Sequence, residues 1–337
     1  MERSEDLALS SFLQSKGFAD WQVPHPSALR LQDFPPRGVR AWACPSFRRC
    51  MRAITGLAPR ALPCLLGWAI SALVPPPAGA GAVHELPGWK EEPVVAALFQ
   101  RAGVKGTFVL LEEGTGLLRG TNSGRAAQRL SPASTFKIPH TLIGLSLGAV
   151  RSVDERIPYT GDPNPWIREW LEPMGLRGAM RVSNVPIYQE LARRIGLAPM
   201  QEAVRRLNYG NGEIGSDVTT FWLRGPLAIS AIEQTRFLSR LAHQSLPFPR
   251  EAQAQVAQIT RVDGGAGWGL HAKTGWQNGP GAGVGWWVGW VQLGTRILPF
   301  AMNMDMAGPA DAPMREQLGR ASLQALGVLP GDQSSAP

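Results

Sequence analysis

Apolar positions along this chain keep a strand-like rhythm first, a helical rhythm in the middle and a strand-like rhythm again near the end. GTFVLLEE (106–113) and GLLRG (116–120) carry apolar runs bounded by glycine, which predicts two strands joined across a Gly-Thr turn. Helical signals follow over 135–148, 186–196, 198–207, 229–244 and 312–326. In the fourth of these, Ile229, Ile232, Phe237, Leu238 and Leu241 recur at roughly helical spacing. Apolar runs of strand length return at about 267–274, 284–292 and 296–304. Strands, then helices, then strands and a last helix predict an α/β fold of the α+β sandwich type. Its antiparallel sheet is built from both chain ends and flanked by helices, with a helical subdomain inserted. No repeat or low-complexity linker divides residues 83–337, so they are expected to form one domain.

Upstream of that domain the pattern changes. Residues 51–82 begin with Arg52 and Arg60, run through an apolar stretch from Ala61 to Val74, and end in small residues around Ala78, Ala80 and Ala82. This is the layout of a secretory signal peptide cleaved near 80 or 82. The apolar run is about 14 residues where a bilayer span needs roughly 20, so no membrane span is expected in the mature protein. Residues 1–50 are Pro/Arg-rich without periodicity. They read as disordered, or as a mis-assigned start ahead of a natural Met51.

Charge and cysteine sharpen this division. The chain of 337 residues carries a net +8, but residues 1–82 and 83–337 each hold +4, so the larger region is nearly balanced. A basic nucleic-acid binder is thereby disfavoured. Cys44, Cys50 and Cys64 all precede residue 65, leaving the putting-together of the main domain to packing alone, without disulfide or thiol nucleophile. Lysine is scarce, five against 29 arginines, at Lys16, Lys90, Lys105, Lys137 and Lys273. An ammonium can lose its proton when buried and a guanidinium cannot, so each lysine merits inspection.

Ser134-Thr135-Phe136-Lys137 stands where a polar loop enters an apolar helix. Serine and lysine three apart project from one side of a helix, so the amine can reach the hydroxyl and serve as its base if its pKa falls. Alone, the motif is weak and reads more readily as a capping serine with a surface lysine. Lys273-Thr274-Gly275 follows a predicted edge strand, where glycine lets a substrate backbone or carboxylate lie close and Thr274 offers a donor. Between them come Ser183-Asn184-Val185, Tyr209-Gly210-Asn211 and Phe221-Trp222-Leu223, and beyond them Trp286-Trp287-Val288-Gly289-Trp290. In this order the six motifs resemble the class D (oxacillinase-type) serine β-lactamases over about residues 85–330.

The resemblance implies hydrolysis of β-lactams through an acyl-enzyme on Ser134, in the periplasm, by a monomer or homodimer. Lys137 would be carbamylated by CO2 or bicarbonate to N6-carboxylysine and serve as general base in acylation and deacylation. Val185, Trp222 and Leu223 would form the apolar pocket that keeps its amine neutral, with the Trp222 indole N–H bonding the carbamate. Ser183, helped by Lys273, would protonate the leaving nitrogen. Backbone N–H groups of Ser134 and Trp276 would form an oxyanion hole. Lys273, Thr274, Gly275, Trp276 and Arg315 would bind substrate, Thr274 and Arg315 through its carboxylate. No metal is expected, since His140, His243 and His271 lack ligand spacing. Tyr209 reads as wall, the tryptophan cluster as sheet interior, and Pro139 as a local cost to its helix. Two rivals share parts of the pattern: a β-lactam sensor, which acylates without turnover, and a peptidoglycan transpeptidase or carboxypeptidase, disfavoured by valine at 185.

Overall fold

A short strand, Trp89–Glu91 (β1), leads into the helix Pro93–Arg101 (α1), whose first residue is a proline with no N–H to leave unpaired. The strand pair read from the sequence follows as Gly106–Glu112 (β2) and Leu117–Thr121 (β3), then the helical turn Ser123–Ala127 (α2). The helical middle comprises Lys137–Ser146 (α3), Leu176–Arg181 (α4), Val185–Ile195 (α5), Leu197–Leu207 (α6), Phe221–Arg224 (α7), Ala231–Ala242 (α8) and Arg250–Thr260 (α9). Four strands close the sheet, Arg261–Gly265 (β4), Trp268–Gln277 (β5), Gly283–Leu293 (β6) and Arg296–Met306 (β7), before the last helix, Met314–Ala325 (α10). The computed structural model describes residues 88–165, 167–278 and 283–329. The expected signal segment 51–82, the tract 1–50 and the expected domain start at 83 lie outside the described residues.

The strand order is β1-β3-β2-β7-β6-β5-β4. Both chain ends build the sheet, because β2 pairs with β7, and the helical middle is inserted between them. One detail departs from the expected antiparallel sheet: β1 pairs with β3 in parallel, so the sheet is mixed. The crossover that permits this is α1, which returns the chain so that β2 and β3 can follow.

β6 explains why its sequence is almost continuously apolar. Trp286, Val288 and Trp290 join the cluster under the helical middle, whereas Trp287 and Val291 join the cluster on the opposite face, with Phe99 of α1 and Leu318 and Leu323 of α10. A strand covered on both faces has no solvent side to keep polar. The tryptophan cluster therefore lies in the sheet interior, all three of Trp286, Trp287 and Trp290 being buried. Gly289 is the exception that lets the strands meet. A Cβ there would overlap the carbonyl oxygen of His271 in β5, which belongs to the ladder and has no room to yield. Gly289→Ala is expected to cost about 2–3 kcal/mol, a fall in Tm of roughly 5–10 °C by calorimetry, with a loss within 1 °C contradicting the packing described.

Among the described residues no helix is long and apolar enough to cross a membrane.

Candidate active site

The turn that carries Ser134 is stapled from three directions before it enters α3. The 3-10 turn Ala133–Phe136 carries Ser134, and the residue before it, Ala133, holds a left-handed backbone at φ 48°. A non-glycine residue there is strained, and such strain persists only where surroundings fix it. Those surroundings are named by their bonds. Trp286 Nε1 donates to the Ser131 carbonyl, Ser131 Oγ donates to the Trp222 carbonyl, and Gln234 of α8 donates to Thr135 Oγ1. Tyr209 packs edge-on against Phe136 and donates its hydroxyl proton to Gln234, which is the wall role read from its sequence. Pro139 falls in the first turn of α3, where an N–H needs no helical partner, so its cost is smaller than expected.

Lys137 opens α3 and is completely buried. Its Nζ donates to Ser134 Oγ at 2.9 Å and stands 5.1 Å from the centroid of the Tyr188 ring. Burial, and then the charge of Lys273, hold its pKa well below the ordinary lysine value. The amine thus stands next to the Ser134 hydroxyl with its charged form disfavoured.

The second serine is presented by a helix cap. Asn184 caps α5 by accepting from Ile187 N, and its side-chain amide donates to the Trp170 carbonyl. Held this way, Ser183 takes a left-handed backbone at φ 56° and points its hydroxyl at β5, where Lys273 Nζ donates to Ser183 Oγ at 3.1 Å. The same amine donates to the Thr274 carbonyl at 2.9 Å and to Thr274 Oγ1 at 3.3 Å. Burial and then Arg315 lower the Lys273 pKa to about 7. β4 pairs with β5 only through Trp268–His271, so beyond that point β5 is the edge that the sequence anticipates.

Gly275 brings this edge against the turn that carries Ser134. A Cβ there would stand 3.0 Å from both the Pro132 carbonyl oxygen and Thr135 Cγ2. Arg315 of α10 donates through Nη1 to the Gly275 carbonyl at 2.7 Å and through Nε to the Ala312 carbonyl. Its pKa is lowered to about 10 by burial, partly offset by Glu316. Lys137, Lys273 and Arg315 therefore form a row of basic groups whose described hydrogen bonds go to hydroxyls and carbonyls rather than carboxylates. An anionic substrate suits such a row.

Residues 106–324 match the penicillin-binding protein transpeptidase domain family. Beta-lactamase OXA-5 of Pseudomonas aeruginosa is 35% identical over 253 residues, covering 74% of this chain and 92% of the relative. Beta-lactamase OXA-48 of Klebsiella pneumoniae is 36% identical over 242 residues, 72% of this chain and 91% of its own. Among solved structures, FUS-1 (OXA-85), a class D β-lactamase from Fusobacterium nucleatum subsp. polymorphum, superposes with a TM-score of 0.69 at 40% identity, over 72% of this chain and all of that one. The chain belongs to the class D serine β-lactamases. It is a hydrolase that opens the β-lactam amide through a serine, and Ser134 is the serine whose surroundings fit.

In this β-lactamase the hydrogen bonds link Ser134 with Lys137, Ser183 with Lys273 and Thr274, and Gly275 with Arg315. Val185 begins α5 immediately after the Ser183-Asn184 cap, and Leu223 follows Trp222 in α7; both are half-buried. Trp276 is half-buried on β5 opposite Gly285. Sequence reasoning passed over Tyr188 and treated His140 only as a failed metal ligand. Both are fully buried, and His140 lies three residues after Lys137 on the helix, a spacing that could have flagged it.

Proposed function

We propose that this class D enzyme turns over β-lactams with Lys137 carried as N6-carboxylysine. The observation that carries the reading is a completely buried lysine, depressed in pKa and bonded to Ser134, with Trp222 stacked on the adjacent Phe136 and its buried Nε1 without a hydrogen-bond partner. Only a neutral amine adds CO2, and a pocket with an idle neutral donor fits the product. Lys137 would bear the group, with Trp222 donating to it and Val185 and Leu223 keeping water away. Bound there, it supplies a general base that works at neutral pH in a site closed to bulk solvent.

The remaining steps belong to the chain's own residues. Ser134 Oγ gives up its proton towards the buried end of Lys137 and bonds to the β-lactam carbonyl carbon. Backbone N–H groups of Ser134 and Trp276 receive the oxyanion. As the C–N bond breaks, Ser183 delivers its proton to the leaving nitrogen and is reprotonated from Lys273, whose pKa of about 7 suits both states. Thr274 and Arg315 hold the substrate carboxylate, the arginine already fixed beside Gly275. A water then takes the place of the leaving group and frees Ser134. Residues 83–337 are the working enzyme, monomer or homodimer, exported to the periplasm by the segment 51–82.

Turnover of a chromogenic cephalosporin is expected to fall several-fold after CO2 is stripped at mildly acid pH and to recover on adding bicarbonate. Equal rates with and without bicarbonate after stripping argue against the modified lysine. One equivalent of acylation with no turnover, even in bicarbonate, points to a sensor instead.

A further inference from the structure

The pocket around Lys137 holds more unpaired polar atoms than Trp222 alone explains. His140 is fully buried, and neither Nδ1 nor Nε2 has a partner. Its ring packs 5.1 Å from Trp222, 5.3 Å from Tyr188 and 5.4 Å from Phe136, centroid to centroid. Tyr188 is the same ring over which Lys137 Nζ stands, and Tyr188 spends its hydroxyl on Thr141 at 2.7 Å. Two idle N–H donors, one indole and one imidazole, thus belong to the same ring cluster as Tyr188, over which the one amine expected to acquire an anionic group stands. Each buried polar group left unpaired costs about 1–3 kcal/mol, so a concentration of them in one place marks the position of a missing polar partner.

We propose that His140 is a positioning residue for the modified end of Lys137, its neutral imidazole acting as a second donor beside the Trp222 indole. This rests on the reading of Lys137 as N6-carboxylysine. With Lys137 unmodified, burial and then its charge lower the His140 pKa to about 3; burial, the larger cause, is still present when the lysine carries the group and favours the uncharged ring. An uncharged donor steadies an anion without raising the charge of a pocket that must also keep the free amine neutral. An apolar side chain of similar size would fill the space and contribute no hydrogen bond.

The test is 13C NMR of the whole protein titrated with 13C-bicarbonate, reading the carbamate resonance that Lys137→Ala removes. His140→Leu is expected to need at least about tenfold more bicarbonate for half of the full signal, the loss of one hydrogen bond to a charged group. His140→Phe, which keeps an aromatic ring against Phe136, Tyr188 and Trp222, should behave alike and stands in if the leucine variant does not fold. His140→Asn, which restores a donor, should stay within about threefold of the native protein. A native half-point in the folded apolar variant, or equal shifts in the asparagine and apolar variants, overturns the proposal. A native protein with no Lys137-dependent resonance overturns the carbamate reading, and this proposal with it.

Discussion

Lys137→Ala is expected to yield a protein that is acylated about once and then stalls. Ser134 retains its strained turn, because the bonds that hold it come from Trp286, Ser131 and Gln234 and not from Lys137. What disappears is the only side-chain nitrogen bonded to Ser134 Oγ among the described residues. A positioned general base contributes about 10²–10⁴-fold, and on the proposed reading one base serves both halves of the reaction. Acylation can still draw on ring strain in the substrate and on the oxyanion donors, whereas deacylation must activate water in a closed site with nothing to accept its proton. Turnover should therefore fall by about 10³-fold or more, with a burst of one product per enzyme and an acyl adduct persisting in the intact-protein mass spectrum. Steady turnover within tenfold of the native rate would sink the assignment of Lys137 as base.

Most of the elements that place this lysine were legible because they are amphipathic or wholly buried. The strands at 106–112, 283–293 and 296–306 and the helices over 185–195, 197–207 and 231–242 match their apolar patterns to within a few residues. Three of the unread ones lack a plain signal of that kind. β1 is three residues long and draws its partner from β3, far along the chain, and β4 is exposed throughout, so neither carries a buried face. α9 is rich in alanine and glutamine; one of its buried residues, Gln253, bonds backbone carbonyls of Leu246 and Phe248, a use of polarity that a hydrophobic pattern cannot show. At the site, short motifs pointed to Ser134, Lys137, Ser183 and Lys273, which hydrogen bonds join in two pairs, because the chemistry expected of them fixes residue type and spacing. His140 was missed because its significance lies in partners it does not have, and an unpaired nitrogen is visible only once everything around it has been packed.

Lys273→Met is expected to separate stability from activity. The folded protein holds Lys273 at a pKa of about 7, against an ordinary value of 10.5, because burial and the Arg315 charge penalise its ammonium. Between those two pH values the unfolded chain binds a proton that the folded one does not, so this lysine makes stability rise as pH rises. Below about pH 7 both states are protonated and the full penalty is felt, of the order of 4–5 kcal/mol at 1.36 kcal/mol per tenfold. Methionine fills nearly the same volume without a charge. It forfeits the bonds from Nζ to Ser183, the Thr274 carbonyl and Thr274 Oγ1, each worth about 1 kcal/mol net. The balance leaves the variant about 1–3 kcal/mol more stable at pH 7, with the advantage shrinking towards pH 10. Acylation should nevertheless slow by about 10²-fold, since on the proposed reading Ser183 loses the group that reprotonates it. Denaturant unfolding at pH 6, 7, 8 and 9, beside burst kinetics, tests both halves. A variant less stable than the native enzyme at pH 7, or a native enzyme whose stability does not climb from pH 7 to 9 relative to the variant, means that Lys273 is not held near neutrality by its burial. Native-like acylation in a folded variant would instead remove Lys273 from the proton path, leaving Ser183 to be served from solvent.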